Sequence, residues 1–417
     1  MNDLLPGEIE RWQLLEATIR RVVALHGYRE IRTPIVEPTP LFVRSVGEGT
    51  DIVDKEMYSF VFHDEPLTLR PEGTAGVVRA YVEHGLHTKE PVSRLFYTGA
   101  MFRGERPARG RYRQFYQAGC EVFGDAGPVV DAEMIDMLVG LLREVGVEKV
   151  TVLLNSLGSG DVKLRYAVAL QNHMSGFGDA LSDDSKRRCW TNPLRILDSK
   201  SPKDAEAIAT APSILEFLSD EDKDHFEHVQ ALLVALGTPY VVEPRLVRGL
   251  DYYTRTLFEL RGEGGELGAQ NALGGGGRYD KLVSELGGPA TPGIGFGLGL
   301  ERILLAMPQN KIETTPSVFL APMGERATRQ SLTIARSLRE AGVVTHLEGR
   351  GSKLGSMLKR ASGLGARLAI IIGDTELEKR EAVVRDLAQS LQVEVPFAEL
   401  VSVVTAKLGR PAVQGAP

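Results

Sequence analysis

Residues 97–121 read YTGAMFRGERPARGRYRQFYQAGCE. Apolar and polar residues alternate at residues 95–98 and again at residues 114–117, which is typical of strands. The same alternation occurs at residues 67–70. Loops rich in turn-forming residues separate these segments, so we predict an antiparallel sheet.

The middle of this stretch is rich in arginine. From position 103 to position 113 there are five arginines and one acidic residue, Glu105. The absence of lysine there favours the binding of oxyanions, because the planar guanidinium group matches the geometry of phosphate. The alternative is a solvated charged loop, which is what most runs of charge are.

The strand after this loop carries an unusual set of side chains. Because side chains alternate along a strand, Arg111, Arg113, Phe115, Gln117 and Glu121 are expected on one face. Such a mixture would make a poor hydrophobic core. A nucleotide could stack on the aromatic ring with its phosphates at the arginines, while the amide and the carboxylate meet a polar ligand. An exposed sheet face is the alternative interpretation.

Three shorter clusters contain residues suited to the same kind of ligand. Residues 69–74 read LRPEGT, where a carboxylate beside a glycine could hold an ammonium group. Residues 248–256 read RGLDYYTRT, in which we expect the two adjacent tyrosines to face opposite sides of a strand. Residues 299–302 read GLER and place Arg302 at a helix start, where it could clamp a terminal phosphate. Each cluster alone is more often structural, so the interpretation depends on their joint presence.

Composition excludes several classes of protein. With 417 residues, 43% of them hydrophobic and 25% charged, the chain is typical of a globular protein with two or three domains. No apolar run approaches the roughly 20 residues of a membrane-spanning helix, and the start lacks the layout of a signal peptide. The two cysteines, Cys120 and Cys189, are too few for a disulfide framework. We therefore predict a cytoplasmic protein.

The chain divides into regions of different character. Apolar spacing predicts a helix over residues 14–26, and residues 158–237 are interpreted as an inserted helical subdomain with serine- and aspartate-rich N-cap clusters. The four glycines at residues 274–277 are interpreted as a loop. After a proline-flanked linker at residues 308–316, short apolar strands alternate with amphipathic helices, which predicts a small α/β domain.

Several common motifs are missing from the sequence. There is no Gly-x-Gly-x-x-Gly fingerprint after a strand, no Gly-x-x-x-x-Gly-Lys-Ser/Thr loop, no Gly-x-Ser-x-Gly elbow and no His-Glu-x-x-His. The alternating glycines at residues 293–299 have the wrong spacing. Phosphate binding is therefore expected from arginine side chains on a sheet.

The four clusters, in this order, resemble the class II aminoacyl-tRNA synthetases, and most closely the histidyl-tRNA synthetase family. Residues 102–121 resemble motif 2 of that class, residues 297–302 resemble motif 3, and the region of Pro34 resembles motif 1. Residues 248–253 and 273–280 resemble two signatures of the histidine family. The resemblance covers nearly the whole chain, and the segment at 248–253 is its most specific part.

The resemblance implies roles for individual residues. It implies that ATP is bound by Arg103, Glu105, Arg111, Phe115 and Arg302. It implies that L-histidine is bound by Glu72, Gly73, Thr74, Arg103, Gln117, Glu121, Arg248, Tyr252 and Tyr253. The implied catalytic residues are Arg248, which would stabilise charge on the α-phosphate, and Arg103, which would grip the α-phosphate and the substrate carboxylate.

The resemblance also implies a reaction and an architecture. L-histidine and ATP would give histidyl-adenylate and pyrophosphate, and the histidyl group would pass to the 3′ end of tRNA(His), with Mg²⁺ bridging the phosphates of ATP. The implied fold class is α+β, with an antiparallel sheet flanked by helices, a helical insertion and a C-terminal α/β anticodon-binding domain. The expected boundaries are 1–315 for the catalytic domain, 316–410 for the anticodon-binding domain and 411–417 for a tail. The implied assembly is a homodimer with no membrane attachment.

Two alternatives share parts of this pattern. The synthetase-like regulatory subunit of ATP phosphoribosyltransferase resembles the catalytic core, but it lacks the anticodon-binding domain and tends to lose ATP-clamping residues. This chain keeps Arg103, Glu105, Arg248 and Arg302 and has about 100 residues after the linker. A class II synthetase for threonine or proline is disfavoured by residues 248–253 and by missing zinc ligands.

Overall fold

The computed structural model describes residues 2–47, 50–263, 267, 271–309, 316–350 and 353–409. The chain forms two compact units, which divide between residues 310 and 311. Among the described residues the first unit contains two sheets and the second unit contains one, and each unit has its own hydrophobic core. The expected tail and most of the expected linker lie outside the described residues.

The first unit combines strands and helices throughout its length. Its described strands are β1 (Arg29–Glu30), β2 (Val36–Pro38), β3 (Tyr58–Phe62), β4 (Glu65–Leu69), β5 (Ser93–Phe102), β6 (Gln114–Phe123), β7 (Val150–Ser156), β8 (Tyr240–Val242), β9 (Thr254–Gly262), β10 (Ala272–Arg278) and β11 (Gly293–Gly299). Its described α-helices are α1 (Ile9–Leu25), α2 (Thr39–Val46), α3 (Thr74–Glu83), α4 (Pro128–Glu144), α5 (Val162–Ser175), α6 (Asp183–Thr191), α7 (Ala205–Ala209), α8 (Asp220–Leu236), α9 (Leu282–Glu285) and α10 (Leu300–Ala306).

A large, mainly antiparallel sheet is the centre of this unit. In the described part of the chain it has eight strands in the order β1-β5-β6-β11-β10-β9-β7-β8. Only the outer pairs β1–β5 and β7–β8 are parallel among these neighbours. The strands β5 and β6, which flank the arginine-rich loop, pair from Ser93 opposite Phe123 to Phe102 opposite Gln114. The predicted antiparallel sheet is therefore confirmed.

Helices α1 and α4 cover one face of this sheet. Ala118, Cys120 and Val122 of β6 are buried in the same core as Leu15 of α1 and Ile135 of α4. Full burial of a leucine or isoleucine side chain contributes about 1.5–3 kcal/mol to stability. Because side chains alternate along β6, its odd-numbered residues project from the opposite face, where the candidate site lies.

Helices α5 to α8 lie between β7 and β8, in the region expected to be a helical insertion. The hydroxyl group of Ser182 caps α6 by accepting a hydrogen bond from the backbone N–H of Ser185 at 3.3 Å. The hydroxyl group of Ser219 caps α8 in the same way through the N–H of Asp222, at 3.1 Å. Gly237 then ends α8 with a φ of 71°, a left-handed conformation that suits glycine. The predicted serine caps are confirmed.

A smaller sheet holds the segment that leads to residues 69–74. It consists, among the described residues, of β2, β4 and β3 in antiparallel pairing, with β4 in the middle. Directly after β4, the guanidinium group of Arg70 donates to the carbonyl oxygens of Ala100 at 2.9 Å and Thr33 at 3.0 Å. Arg70 thus ties the end of the small sheet to β5 of the large one.

The second unit is an α/β domain, as the alternating pattern predicts. Its described strands are β12 (Ser317–Pro322), β13 (Val344–Leu347), β14 (Leu368–Ile372), β15 (Glu381–Asp386) and β16 (Gln392–Pro396). Its described helices are α11 (Glu325–Glu340), α12 (Leu354–Gly363), α13 (Asp374–Lys379) and α14 (Leu400–Lys407). The strand order is β13-β12-β14-β15-β16, with β12 parallel to β13 and β14 and the remaining pairs antiparallel. Val318, Leu320 and Ile370 meet Ile334 and Leu338 of α11 in its core.

Three local expectations from the sequence are wrong. The glycines at 274–277 belong to a strand, β10, which is paired on both sides. Glycine is needed there because the neighbouring strands leave no room for a side chain: a Cβ atom at Gly276 would lie 2.0 Å from the carbonyl oxygen of Gly295. Tyr252 lies in a turn and Tyr253 directly precedes β9, so neither tyrosine is in the strand. Likewise, the arginines at 111 and 113 precede β6, which begins at residue 114.

Candidate active site

The candidate site lies on the face of the large sheet opposite α1 and α4. Gln117 and Glu121 of β6 project from this face and lie beside glycines of β11. A Cβ atom at Gly297 would lie 1.9 Å from Nε2 of Gln117, and one at Gly295 would lie 1.7 Å from Oε2 of Glu121. The glycines therefore leave the space that these two polar side chains occupy.

Arg103 follows the last residue of β5 and lies over an aromatic ring. Its guanidinium carbon is 5.3 Å from the centre of the Phe115 ring, and its Nε donates to the carbonyl oxygen of Pro71 at 2.8 Å. Burial lowers the pKa of Arg103, although the nearby carboxylates of Glu56 and Glu72 oppose this. A partly desolvated arginine of this kind interacts strongly with an anion that reaches it.

Glu105 lies between two arginines at the start of the loop. Its carboxylate contacts the guanidinium group of Arg111 and is 3.7 Å from that of Arg103. The side chain of Glu105 is only 10% exposed. The pair of contacts fixes the orientation of this carboxylate at the edge of the cleft.

Arg302 enters the same cleft from the helix α10. Its Nε donates to the carbonyl oxygen of Gly110 at 3.2 Å and its Nη1 to that of Ala272 at 2.9 Å. Burial lowers the pKa of Arg302, and repulsion from Arg111, Arg248 and Arg103 lowers it further. These guanidinium groups line one cleft together. A polyphosphate is the kind of ligand that would offset their mutual repulsion.

Arg248 reaches this cleft from an irregular segment between β8 and β9. Its Nη1 donates to Oε2 of Glu259 at 2.6 Å. Burial acts to lower the pKa of Arg248, but the charge of Glu259 and the neighbouring Tyr253 outweigh it, so the pKa is raised. Arg248 is thus a partly buried group that stays positively charged.

Glu72 lies just before α3 and, with Thr74 and Glu121, forms a hydrogen-bonded group that we call the acidic cradle. Its carboxylate accepts hydrogen bonds from the backbone N–H groups of Thr74 at 2.6 Å and Ala75 at 2.8 Å. Burial raises the pKa of Glu72, and these hydrogen bonds partly oppose that shift. A ligand ammonium group would complete the pairing of this carboxylate.

Glu121 marks the other end of the cradle. Its Oε1 accepts a hydrogen bond from the hydroxyl of Thr74 at 2.7 Å, and its Oε2 accepts one from the hydroxyl of Tyr279. Burial raises the pKa of Glu121 well above its usual range, because the two hydrogen bonds offset only part of the desolvation cost. A carboxyl group in such surroundings is suited to a polar ring that carries a nitrogen donor.

The adjacent tyrosines Tyr252 and Tyr253 lie behind this end of the site. Both are buried, and their ring centres are 4.7 Å apart. The ring of Tyr252 also meets that of Tyr279 edge-on, with 5.5 Å between centres. Both tyrosines line a second cleft as well, beside Lys163, whose Nζ donates to the carbonyl oxygen of Asp251 at 2.6 Å. Burial raises the pKa of both tyrosines, so both hydroxyls stay protonated.

Comparison with known proteins identifies the arrangement. Residues 1–303 match the family described as histidyl-tRNA synthetase, and residues 317–407 match the family described as anticodon binding domain. The chain belongs to the histidyl-tRNA synthetase family. The class II fold implied by the motifs is therefore confirmed.

Relatives within the histidyl-tRNA synthetase family match along nearly the whole chain. The histidine–tRNA ligase of Sorangium cellulosum is 54% identical over 397 residues, which cover 95% of this chain and 93% of that protein. The histidine–tRNA ligase of Geobacillus kaustophilus is 45% identical and covers 98% and 97%. The crystal structure of apo S. aureus histidyl-tRNA synthetase has a TM-score of 0.81 at 36% identity and covers 97% of both chains.

The structure brings the sequence-predicted residues into one region of the histidyl-tRNA synthetase fold. One cleft is lined by Arg103, Glu105, Arg111, Phe115, Gln117, Arg248 and Arg302. Glu72, Thr74 and Glu121 form a hydrogen-bonded chain beside it. Gly73 lies directly before α3, between Glu72 and Thr74. Pro71, whose carbonyl oxygen accepts the hydrogen bond from Arg103, directly precedes Glu72. The roles of the individual residues stay predictions.

Two residues at the site were not singled out from the sequence. Tyr279 directly follows β10 and contacts Glu121, and its position after the glycine run and Arg278 was the available signal. Glu259 holds Arg248, but nothing in the local sequence distinguishes this acid from other acids in strands. The contact between Glu259 and Arg248 depends on the pairing of β9 with β10.

Two features are absent from the described part of the chain. Among the described residues, no group of three or more histidine, cysteine, aspartate or glutamate side chains could hold a metal ion. In the same part of the chain, no helix is both long enough and apolar enough to cross a membrane.

Proposed function

We propose that this chain is a histidine–tRNA ligase that activates L-histidine with ATP and transfers it to the 3′ end of tRNA(His). The observation that carries the proposal is the convergence of Arg103, Arg111, Arg248 and Arg302 on one cleft beside the carboxylates of the acidic cradle. Polyphosphate binding and recognition of a small amino acid are thereby combined in one place. Family membership supports this function.

ATP would occupy the arginine-lined cleft. The adenine would stack on the ring of Phe115, which lines this cleft. Glu105 would meet the adenine amino group, while Arg111 and Arg302 would bind the outer phosphates. The α-phosphate would then be bound by Arg103 and Arg248, which line the same cleft.

L-histidine would occupy the space between Glu72 and Glu121. The α-ammonium group would pair with the carboxylate of Glu72, assisted by Thr74 and Gln117. A neutral imidazole offers one donor and one acceptor, so it needs two different partners. Glu121 and the tyrosine hydroxyls supply groups of these kinds.

The chemistry would proceed by two displacements. A carboxylate oxygen of histidine attacks the α-phosphorus, the bond from that phosphorus to the β-phosphate oxygen breaks, and pyrophosphate leaves. Arg248 and Arg103 would stabilise the negative charge that builds on the α-phosphate oxygens. A ribose hydroxyl at the tRNA terminus then attacks the histidyl carbonyl carbon, and AMP leaves.

Mg²⁺, when bound with ATP, supplies charge neutralisation across the phosphates. The described side chains offer it no cluster of ligands of their own, so its ligands would be mainly phosphate oxygens and water. The arginines would perform the remaining neutralisation of the polyphosphate.

The domains and partners follow from the same assignment. We assign catalysis to residues 1–315 with the helical insertion at about 158–237, and anticodon binding to residues 316–410. The second unit matches the anticodon-binding family over residues 317–407. A homodimer in the cytoplasm is the proposed working form.

The regulatory subunit of ATP phosphoribosyltransferase is the other candidate. A Bacillus halodurans structure described as such a subunit or a histidyl-tRNA synthetase has a TM-score of 0.65 at 21% identity, a likeness of fold alone. Retention of the arginine-lined cleft and of an anticodon-binding domain favours the ligase.

ATP–pyrophosphate exchange tests the proposed function. Purified protein is incubated with ATP, labelled pyrophosphate and each of the twenty amino acids in turn. We expect exchange with histidine alone, followed by charging of tRNA(His) in a second assay. Exchange with proline or threonine, or none with any amino acid, would contradict the proposal.

A further inference from the structure

The position of Arg248 depends on a glycine beneath it. A Cβ atom at Gly275 in β10 would lie 3.0 Å from Cζ of Arg248 and 3.1 Å from its Nη1. The guanidinium group therefore lies against the bare backbone of β10. The segment that carries Arg248 has no regular secondary structure, so backbone hydrogen bonding within a helix or strand does not fix this side chain.

Glu259 lies next to this position in the sheet. It is the residue of β9 directly opposite Gly275 in the β9–β10 pairing. Its Oε2 accepts a hydrogen bond from Nη1 of Arg248 at 2.6 Å, and its Oε1 accepts one from Nε of Arg261 at 2.8 Å. Glu259 is only 9% exposed, so its charge is poorly screened by water.

We propose that Glu259 is a positioning residue for adenylate formation, which holds the guanidinium group of Arg248 over Gly275 where the α-phosphate will lie. The inference rests on the proposed function. Glu259 itself touches neither substrate in this scheme. It acts through Arg248, and its effect is on the placement of charge.

The need for such a residue follows from the charges around Arg248. Arg103 and Arg302 line the same cleft as Arg248, and their positive charges repel it. Without an opposing carboxylate, a flexible arginine in this field would turn away from the cleft. A displacement of about 1 Å can lower a rate about 100-fold.

The shared hydrogen bonding also explains how Arg248 stays available. The carboxylate of Glu259 divides its oxygens between Arg248 and Arg261, so each arginine is held through one oxygen. The side chain of Arg248 is 24% exposed, which leaves donors free to face the cleft. Arg248 can therefore bind the α-phosphate without first losing its contact with Glu259.

The test compares Glu259→Gln and Glu259→Asp with the unchanged protein. Single-turnover adenylate formation, the dissociation constant for histidine and thermal unfolding are measured for each. We expect the rate of adenylate formation to fall about 10- to 100-fold in both variants, with histidine affinity and melting temperature nearly unchanged. Arg261→Gln is the matched control, because it removes the other partner of Glu259, and its rate should stay close to that of the unchanged protein.

A double variant separates positioning from other roles. Glu259→Gln combined with Arg248→Ala should be no slower than Arg248→Ala alone, because both changes remove the same interaction. Additive losses, an equal loss of histidine affinity, or a raised Mg²⁺ requirement in Glu259→Gln would each overturn the inference. If the unchanged protein shows no histidine-dependent exchange, the proposed function itself fails, which is a distinguishable result.

Discussion

Arg278 and Asp131 form an ion pair with no solvent exposure of either side chain, and Nη2 of the arginine lies 2.6 Å from Oδ1 of the aspartate. Asp131 also accepts hydrogen bonds from the hydroxyl of Thr256 at 2.6 Å, and its Oδ2 is 2.9 Å from Nε2 of His225. The group joins α4, α8, β9 and β10. It therefore connects the helical region between β7 and β8 to the strands that carry the site.

Replacing Arg278 by methionine should strongly destabilise the fold. The change leaves the carboxylate of Asp131 buried without its cationic partner, and losses of about 3–5 kcal/mol are typical of such broken pairs. Chemical denaturation of the whole chain measures the free energy of unfolding. Arg20→Met, which removes an ion pair that is 40% exposed at the arginine, is the control and should change it little. Similar effects of both changes would contradict the prediction.

Replacing Arg248 by alanine should slow adenylate formation while leaving histidine binding largely intact. The loss of a positioned cation at the α-phosphate costs about 100- to 1,000-fold in rate. Rapid-quench measurement of adenylate and calorimetric titration of histidine check the two quantities separately. Arg245→Ala in the same segment is the control, because Arg245 pairs with Glu243 outside the cleft. Equal losses of rate and histidine affinity would mean that Arg248 is structural.

Replacing Tyr279 by phenylalanine should weaken the use of histidine but not of ATP. The change removes the hydroxyl that donates to Oε2 of Glu121 and leaves that buried carboxyl with one partner fewer. We expect kcat/KM for histidine to fall about tenfold or more, with the KM for ATP unchanged. Tyr240→Phe is the control, since the hydroxyl of Tyr240 bonds Gln230 on α8. Parallel changes in both KM values would argue against a role in imidazole recognition.

Replacing Glu301 by glutamine should stabilise the protein increasingly as the pH rises. Burial raises the pKa of Glu301 to about 7, although hydrogen bonds from its own backbone N–H and that of Tyr116 oppose the shift. Because this pKa is above its unfolded value, proton binding favours the folded state at low pH, and that contribution is lost as the pH rises toward 7. The stability gain of Glu301→Gln should therefore grow by about 2 kcal/mol from pH 5 to pH 8. Denaturation at four pH values tests this, and a constant difference would contradict it.

Much of the architecture could be predicted because it depends on local patterns. The strands β5 and β6 show alternation, and the α/β order of the second unit shows in its apolar runs. The arginine cluster was visible because several rare, chemically similar side chains occur together. The order of the motifs then indicated the histidyl-tRNA synthetase family, and the similarity of the fold to a solved member of that family confirms this.

The remainder could not be predicted because it depends on contacts between distant strands. The glycines of β10 resemble a loop locally, and only the closeness of β9 and β11 explains why side chains are excluded there. Glu259 meets Arg248 through the register of β9 with β10. Tyr252 and Tyr253 lie near the site although neither is in a strand. The prediction that they face opposite sides of a strand was therefore wrong.

The glycines at 295 and 297 have a consequence for redesign of substrate choice. Glycine is the smallest residue, so no substitution at these two positions can create more space. Enlarging the space beside them therefore requires a shorter side chain at Gln117 or Glu121, the residues proposed to bind histidine. We therefore expect any variant with room for a bulkier amino acid to bind histidine more weakly.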